Sequence, residues 1–314
     1  MESLIDVTKR EDTMQLSRLI DMEDPHAVLD EVKTIASMLF SSFDFGTLDL
    51  VFTDIVRLFQ GKYPGYSSCR TQYHDLKHTT DTFLAMARLI HGAILSGEQL
   101  TSDQVTLGLV CALTHDTGYI QRTDEQQSEM THKALTDVRR SIAFMDQYKS
   151  DHGLSPEVFR HSTVILTCTD LSAKITEIHF PSREIELLGK LIGTADLLGQ
   201  MADRTYLEKL LFLFYEFRDG GVMGYKSELD LLRKTRDFYG MSRQRIAKDL
   251  DGVNEYMRNH FKVRWNLDRD LYVEALEKHM VYLMYILKNH EKDYRTHLRR
   301  GGLVERLEKR VDKS

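Results

Sequence analysis

The chain has 314 residues, 42% hydrophobic and 29% charged, with a formal net charge of −6 and both signs mixed along its length. That balance argues against a nucleic-acid polymer or a polybasic membrane surface as partner, and the length is ample for a large core. Three scattered cysteines (Cys69, Cys111 and Cys168) form neither a disulfide framework nor a paired-cysteine metal site, and only four prolines occur, which favours long helices over a β-rich fold.

No apolar run follows Lys9 and Arg10, so no signal peptide is expected, and the apolar runs near 107–113 and 280–287 are too short to span a bilayer. The expected setting is a reducing cytoplasm. Residues 1–25 read as an amphipathic helical extension ending before Pro25. Ala27 to Phe40 reads as a helix with Val28, Leu29, Val32, Ile35, Ala36 and Leu39 on its apolar side, followed by a second from about Thr47 to Phe59. The turn cluster Gly61-Lys62-Tyr63-Pro64-Gly65 then delivers the chain to Tyr73.

The stretch Tyr73-His74-Asp75-Leu76-Lys77-His78, running into Thr79-Thr80-Asp81-Thr82, opens the next helix. His74 and His78 lie one turn apart on one face, with Asp81 on the same side. Two imidazoles and a carboxylate so placed can build a metal site or an acid–base site; two exposed histidines at a helix start are the plainer alternative. Leu76, Thr80, Phe83, Leu84, Ala87, Ile90 and Ile94 form an apolar stripe roughly opposite, and Ala85 and Leu89 continue the histidine face. The helix is therefore expected to be buried on both sides, with core on one and an enclosed polar site on the other.

After Gly97, Thr101 or Ser102 is a suitable N-cap. Val105 to Leu113 is apolar nearly all round, the mark of a central helix, and it runs into Thr114-His115-Asp116-Thr117-Gly118-Tyr119. Gly118 is a natural C-terminal stop, free to take positive φ. An ionised Asp116 at the end of the most buried helix needs a partner, which a metal ion would supply; a capping aspartate beside a structural histidine is the alternative. Residues 121–130 read as a polar loop over the site, followed by a helix from about Thr131 to Tyr148. Ser155 and Pro156 read as N-cap and first residue of a helix running to about Cys168. Ser182 to Met201 is a further helix, in which Gly189, Gly193 and Gly199 share a face with Asp196. Three mid-helix glycines suggest close packing against a neighbouring backbone or a ligand. Asp196, at the centre of that face, has an ordinary hydrogen-bonded aspartate as its alternative reading. From Tyr206 onward the pattern is helix after helix, ending in a charged tail.

The expected fold is all-α, a single multi-helix bundle with an extension at 1–25, a main domain at 26–295 and a helical tail at 296–314. In order, the motifs are a His-x3-His, a His-Asp after a buried helix, and a buried Asp about 80 residues later. This arrangement resembles the HD-domain superfamily of metal-dependent phosphohydrolases. Tyr73-His74 through His78-Thr79-Thr80-Asp81 is similar to the opening motif of the cyclic-nucleotide phosphodiesterase catalytic domain, and Thr194-Ala195-Asp196 resembles that family's last ligand motif. The resemblance covers roughly residues 30–290. It implies an all-α bundle in which His78, His115, Asp116 and Asp196 hold a first divalent metal (Mg, Mn, Zn or Fe), with Asp116, also catalytic, bridging to a second, weaker site if one is present. It further implies that His74 is the general acid and that Asp81 orients a histidine. The chain departs from the phosphodiesterase pattern at Asp75, where that family has asparagine, and at Tyr119, where it has histidine. Tyr119, His132 and Asp137 are thus candidates for a second shell or second metal. Arg139, Arg140, Lys77 and Arg204 could meet phosphate, but read more simply as surface or salt-bridge residues. The implied function is phosphodiester hydrolysis on a small nucleotide-like substrate. The alternatives are a metal- or nucleotide-binding module without hydrolysis and a di-iron oxygenase.

Overall fold

A computed structural model describes residues 14–125, 138–305 and 307. The described residues are all-α, with a single isolated β-bridge between Tyr66 and Arg122. The helices used below are α1 (Pro25–Leu39), α2 (Gly46–Phe59), α3 (Leu76–Leu95), α4 (Ser102–Thr114), α5 (Val138–Asp151), α6 (Ser162–Thr167), α7 (Arg183–Ala202), α8 (Tyr206–Asp219), α9 (Glu228–Gln244), α10 (Tyr256–Trp265) and α11 (Leu271–Asn289). None is long and apolar enough to cross a membrane.

The starts follow capping chemistry. Asp24, Asp75, Thr101, Ser182, Ser227 and Asp270 each accept a backbone N–H at the first turn of α1, α3, α4, α7, α9 and α11. Thr101 and Gln104 complete a capping box. Pro25 opens α1 instead of following the end of an earlier helix, because Asp24 caps it and proline suits the first position. Of the expected N-terminal helix, the described part is a single turn, Leu16–Leu19. Pro156 does not open a helix: residues 156–161 turn, and α6 begins at Ser162. The start of the helix expected from Thr131 lies outside the described residues.

Helix α3 is the centre of the bundle, packed against α1, α4, α7 and α10, and every residue from His78 to Ala93 is buried. One apolar core runs from Leu16 through Leu307, so the described parts of the expected extension and tail join the body. Two glycines allow α7 to lie close to its neighbours. A Cβ on Gly199 would stand 2.9 Å from the backbone nitrogen of Thr82 on α3, and one on Gly193 would stand 2.7 Å from the carbonyl oxygen of Cys168. The glycine face of α7 thus meets backbone, and Asp196 sits between these two contacts.

Candidate metal centre

Three helices each bring part of one cluster. His78 comes from the first turn of α3, His115 and Asp116 from the end of α4, and Asp196 from the middle of α7. His78 Nε2 lies 3.1 Å from Asp116 Oδ2 and 3.1 Å from Asp196 Oδ1. His115 Nε2 lies 3.3 Å from Asp116 Oδ2, 3.6 Å from Asp196 Oδ1 and 3.2 Å from His78 Nε2. Ligand atoms about 2.1 Å from one centre stand about 3.0 Å apart at adjacent octahedral positions and about 3.4 Å apart in a tetrahedron. The five separations fall around those values.

The donor set fits a cation. His115 Nδ1 lies 2.8 Å from the carbonyl oxygen of Ala112, which can only accept, so Nδ1 carries the proton and Nε2 of the neutral ring offers a lone pair. That lone pair would face two carboxylates and a second imidazole. Asp116 Oδ2 and His78 Nδ1 are buried without a well-formed hydrogen bond. The electrostatics carry the same demand. Burial opposes charging of His78, yet Asp116 and Asp196 outweigh it and raise its pKa to about 9. His115 is raised well above its ordinary value against the same opposition from burial, by the same carboxylates. Burial alone would raise the two aspartates; the two histidines instead hold Asp196 at about 2 and Asp116 well below its usual range. The pocket thus calls for positive charge among its carboxylates, and a divalent ion would provide it.

His74 stands beside this cluster, its ring 6.0 Å from that of His78. Its Nδ1 is 3.4 Å from Glu216 Oε2 on α8. The other oxygen of Glu216 accepts from the backbone N–H groups of Gln72 (2.8 Å) and Tyr73 (2.9 Å). Burial opposes the charge on Glu216, but these bonds and His74 lower its pKa. On its other side, His74 stacks on Tyr119 at 4.0 Å between ring centres, and Nε2 lies 3.1 Å from the Tyr119 hydroxyl. Tyr119 is therefore the partner of His74. Burial, then the charges of Asp116 and Glu216, raise its pKa well above the ordinary value, so the hydroxyl stays protonated.

Asp81 does not orient a histidine. Its carboxylate bonds Lys77 Nζ at 2.6 Å, one helical turn back, and its pKa is pushed up to about 7 by burial, partly offset by Lys77. Lys77 also reaches Asp203 (3.5 Å), which pairs with Lys209 (3.1 Å), which in turn binds Asp75 at 2.9 Å. This buried chain of charges ties the start of α3 to the α7–α8 corner. It explains Asp75 and uses Lys77 in a salt bridge. Arg140 is likewise engaged, donating to the carbonyl oxygen of Gly118 (2.8 Å) and to Glu125 (2.7 Å). Arg204 is exposed. Gly118 does not use positive φ: its N–H donates to Ser141 Oγ at 2.9 Å, and a Cβ would meet the β-carbon of Arg140 at 2.9 Å. His132 and Asp137 lie outside the described residues. Sequence reasoning missed Glu216, whose one visible signal is a lone acid inside the apolar run 210–217.

A separate cavity of about 570 Å³ lies between α2 and α5, lined among others by Asp54, Tyr63, Tyr66, Phe144 and Tyr148; no cluster residue lines it. A family model described as Npun_R2479-like matches residues 43–252, two thirds of the chain, which includes every residue of the cluster as well as His74 and Glu216. No curated protein and no solved structure matches the chain.

Proposed function

The chain belongs to the Npun_R2479-like family, and we propose that it is a metal-dependent phosphohydrolase of HD-domain type, a phosphodiesterase acting on a small nucleotide-like phosphoester. The observation that carries this reading is the convergence of His78, His115, Asp116 and Asp196 from three helices at separations of 3.1–3.6 Å. When bound, a divalent ion supplies Lewis acidity, polarising a phosphoryl oxygen and making water a nucleophile at neutral pH.

The chain's own residues do the rest. Asp116 and Asp196 provide the negative charge that holds the ion, and His115 presents Nε2 because Ala112 fixes its tautomer. His74 is the acid. Glu216 accepts from Nδ1, so the transferable proton sits on Nε2. The protonated Tyr119 hydroxyl, which meets that nitrogen, passes the proton toward the departing oxygen.

The test is turnover of bis(p-nitrophenyl) phosphate, then of cyclic and linear nucleotides, by metal-stripped protein reloaded with Mg, Mn, Zn or Fe. Hydrolysis with at least one ion, lost in His115→Ala together with that ion, is expected. The contact of Tyr119 with Nε2 also supports a second reading, a metal-holding module without hydrolysis. Metal bound at the cluster with no turnover of any phosphoester would select it.

A further inference from the structure

The end of α11 carries a second constellation of ligand-type side chains, remote in sequence from the cluster above. His290 caps α11, Asp293 follows, and His297 closes the single turn Tyr294–His297. One nitrogen of each histidine and one carboxylate oxygen lie within 4.8 Å of one another. His290 Nδ1 is 3.8 Å from Asp293 Oδ1, and His297 Nε2 is 3.3 Å from Asp293 Oδ2. The two imidazoles face each other at 3.8 Å between ring centres, tilted by 35°.

Two features make this more than a surface ion pair. The first is that the other nitrogen of His290, Nε2, is already engaged, 3.1 Å from the Tyr285 hydroxyl. The hydroxyl can donate to that nitrogen or accept from it; with an ion on Nδ1, Nε2 carries the proton and donates to Tyr285, and the neutral ring turns its lone pair toward Asp293. The second is that the turn is held in place. The Asp293 carbonyl accepts from the N–H of Thr296 at 2.9 Å, and the Tyr282 hydroxyl donates to the His297 carbonyl at 2.8 Å. Two rings this close cannot both carry a proton charge without repulsion, whereas one divalent ion at their edge, bound by the in-plane lone pairs beside the carboxylate, needs neither ring to be charged.

We propose that His290, Asp293 and His297 form a second metal site, for a transition ion of the Zn(II), Co(II) or Ni(II) class. Two imidazoles with one carboxylate suit such ions, and the half-exposed setting leaves coordination positions for water. Its place suggests a staple. The same turn carries Tyr294 and Arg295, which bind Glu228 in the first turn of α9 at 2.6 Å and 2.7 Å. An ion there would fix the turn that locks α11 to α9.

The test uses full-length protein without a histidine tag, stripped by chelator and titrated with Co(II) and with Zn(II). Wild type is expected to bind one equivalent more than the double variant His290→Gln/His297→Gln, and the Co(II) visible spectrum should lose the corresponding component. Tyr285→Phe should weaken that equivalent about tenfold or more while leaving helicity by circular dichroism unchanged. His115→Ala should leave this equivalent in place, so failure of the buried centre and failure of this site give different results. Equal equivalents and equal spectra in wild type and the double variant would overturn the proposal, as would tight binding that Tyr285→Phe does not alter.

Discussion

Gly199 sets how closely α7 can approach α3, one turn from the contact of Asp196 with His78, so Gly199→Ala is a direct probe of the cluster. The added Cβ would stand 2.9 Å from the nitrogen of Thr82 and 3.1 Å from the carbonyl carbon of Asp81, both backbone. Ordinary contact begins near 3.4 Å, so the helices must part by about 0.5 Å, and no flexible side chain is there to yield. Overpacking of this kind costs about 1–3 kcal/mol, against which the helix propensity of alanine returns about 1 kcal/mol. The net loss is about 0–2 kcal/mol, a fall of a few degrees in Tm. The larger effect falls on the ligands, because metal bonds tolerate about 0.2 Å. Metal affinity should therefore drop by more than the stability loss accounts for. Gly240→Ala is the control: it lies in α9 with nothing within 4 Å of the added Cβ and should stabilise by about 0.5–1 kcal/mol. Calorimetric unfolding and metal titration of both variants decide the matter. Gly199→Ala behaving like Gly240→Ala, with unchanged metal binding, would refute the argument.

The His74 proposal predicts that His74→Ala keeps its metal and loses about 10²–10⁴-fold in rate on an alkyl phosphodiester, with a much smaller loss on a p-nitrophenyl ester that needs no protonation. Equal losses on both substrates would remove His74 from the acid role. Tyr119→Phe removes the hydroxyl that passes this proton on and should show the same substrate dependence, measured as kcat. The buried charge chain gives a pH prediction. Asp203 is opposed by burial, but Lys209 and Lys77 hold its carboxyl well below the usual range. In acid the unfolded chain therefore takes up a proton that the folded chain does not, and the stability from this group, present above about pH 4, is lost as pH falls. Asp203→Asn should cost about 3 kcal/mol in urea unfolding at pH 7, and the gap to wild type should narrow at pH 3. A gap of equal size at both values would show that the charge is not what stabilises the corner.

The segments that carry the four candidates stand out locally, and the resemblance picked the candidates from them. His78 sits at the head of a helix apolar on both sides, and His115-Asp116 ends a helix apolar all round. Asp196 lies amid glycines. Helical period gives faces, and a face buried against other helices leaves these groups only one another as partners. The same logic fails for groups whose partners are distant in sequence. Glu216 meets His74 across 142 residues, and Lys209 meets Asp75 across 134. No local period encodes which buried acid will meet which base. Asp81 failed differently. Its partner Lys77 is a neighbour one turn back on the same helix, and the assignment of Asp81 to a histidine gave the family pattern precedence over that local pair.

Tyr119 shows how the two kinds of information combine at the site. On the resemblance to phosphodiesterases, it stands where their motif has histidine. The backbone after Asp116 does not continue as α-helix but tightens into the turn Thr117–Tyr119, anchored by Ser141 on the N–H of Gly118 and by Arg140 on its carbonyl. That turn carries the tyrosine ring onto His74. A histidine there would offer a further ligand beside Asp116. A tyrosine whose pKa is raised well above its ordinary value offers a neutral hydroxyl to the acid arm instead. On this argument Tyr119→His should increase the affinity for a second divalent ion at the cluster and slow proton delivery from His74. A metal titration and the rate ratio between alkyl and p-nitrophenyl esters read the two effects separately. A variant that binds no additional metal and keeps the wild-type ratio would detach Tyr119 from both roles.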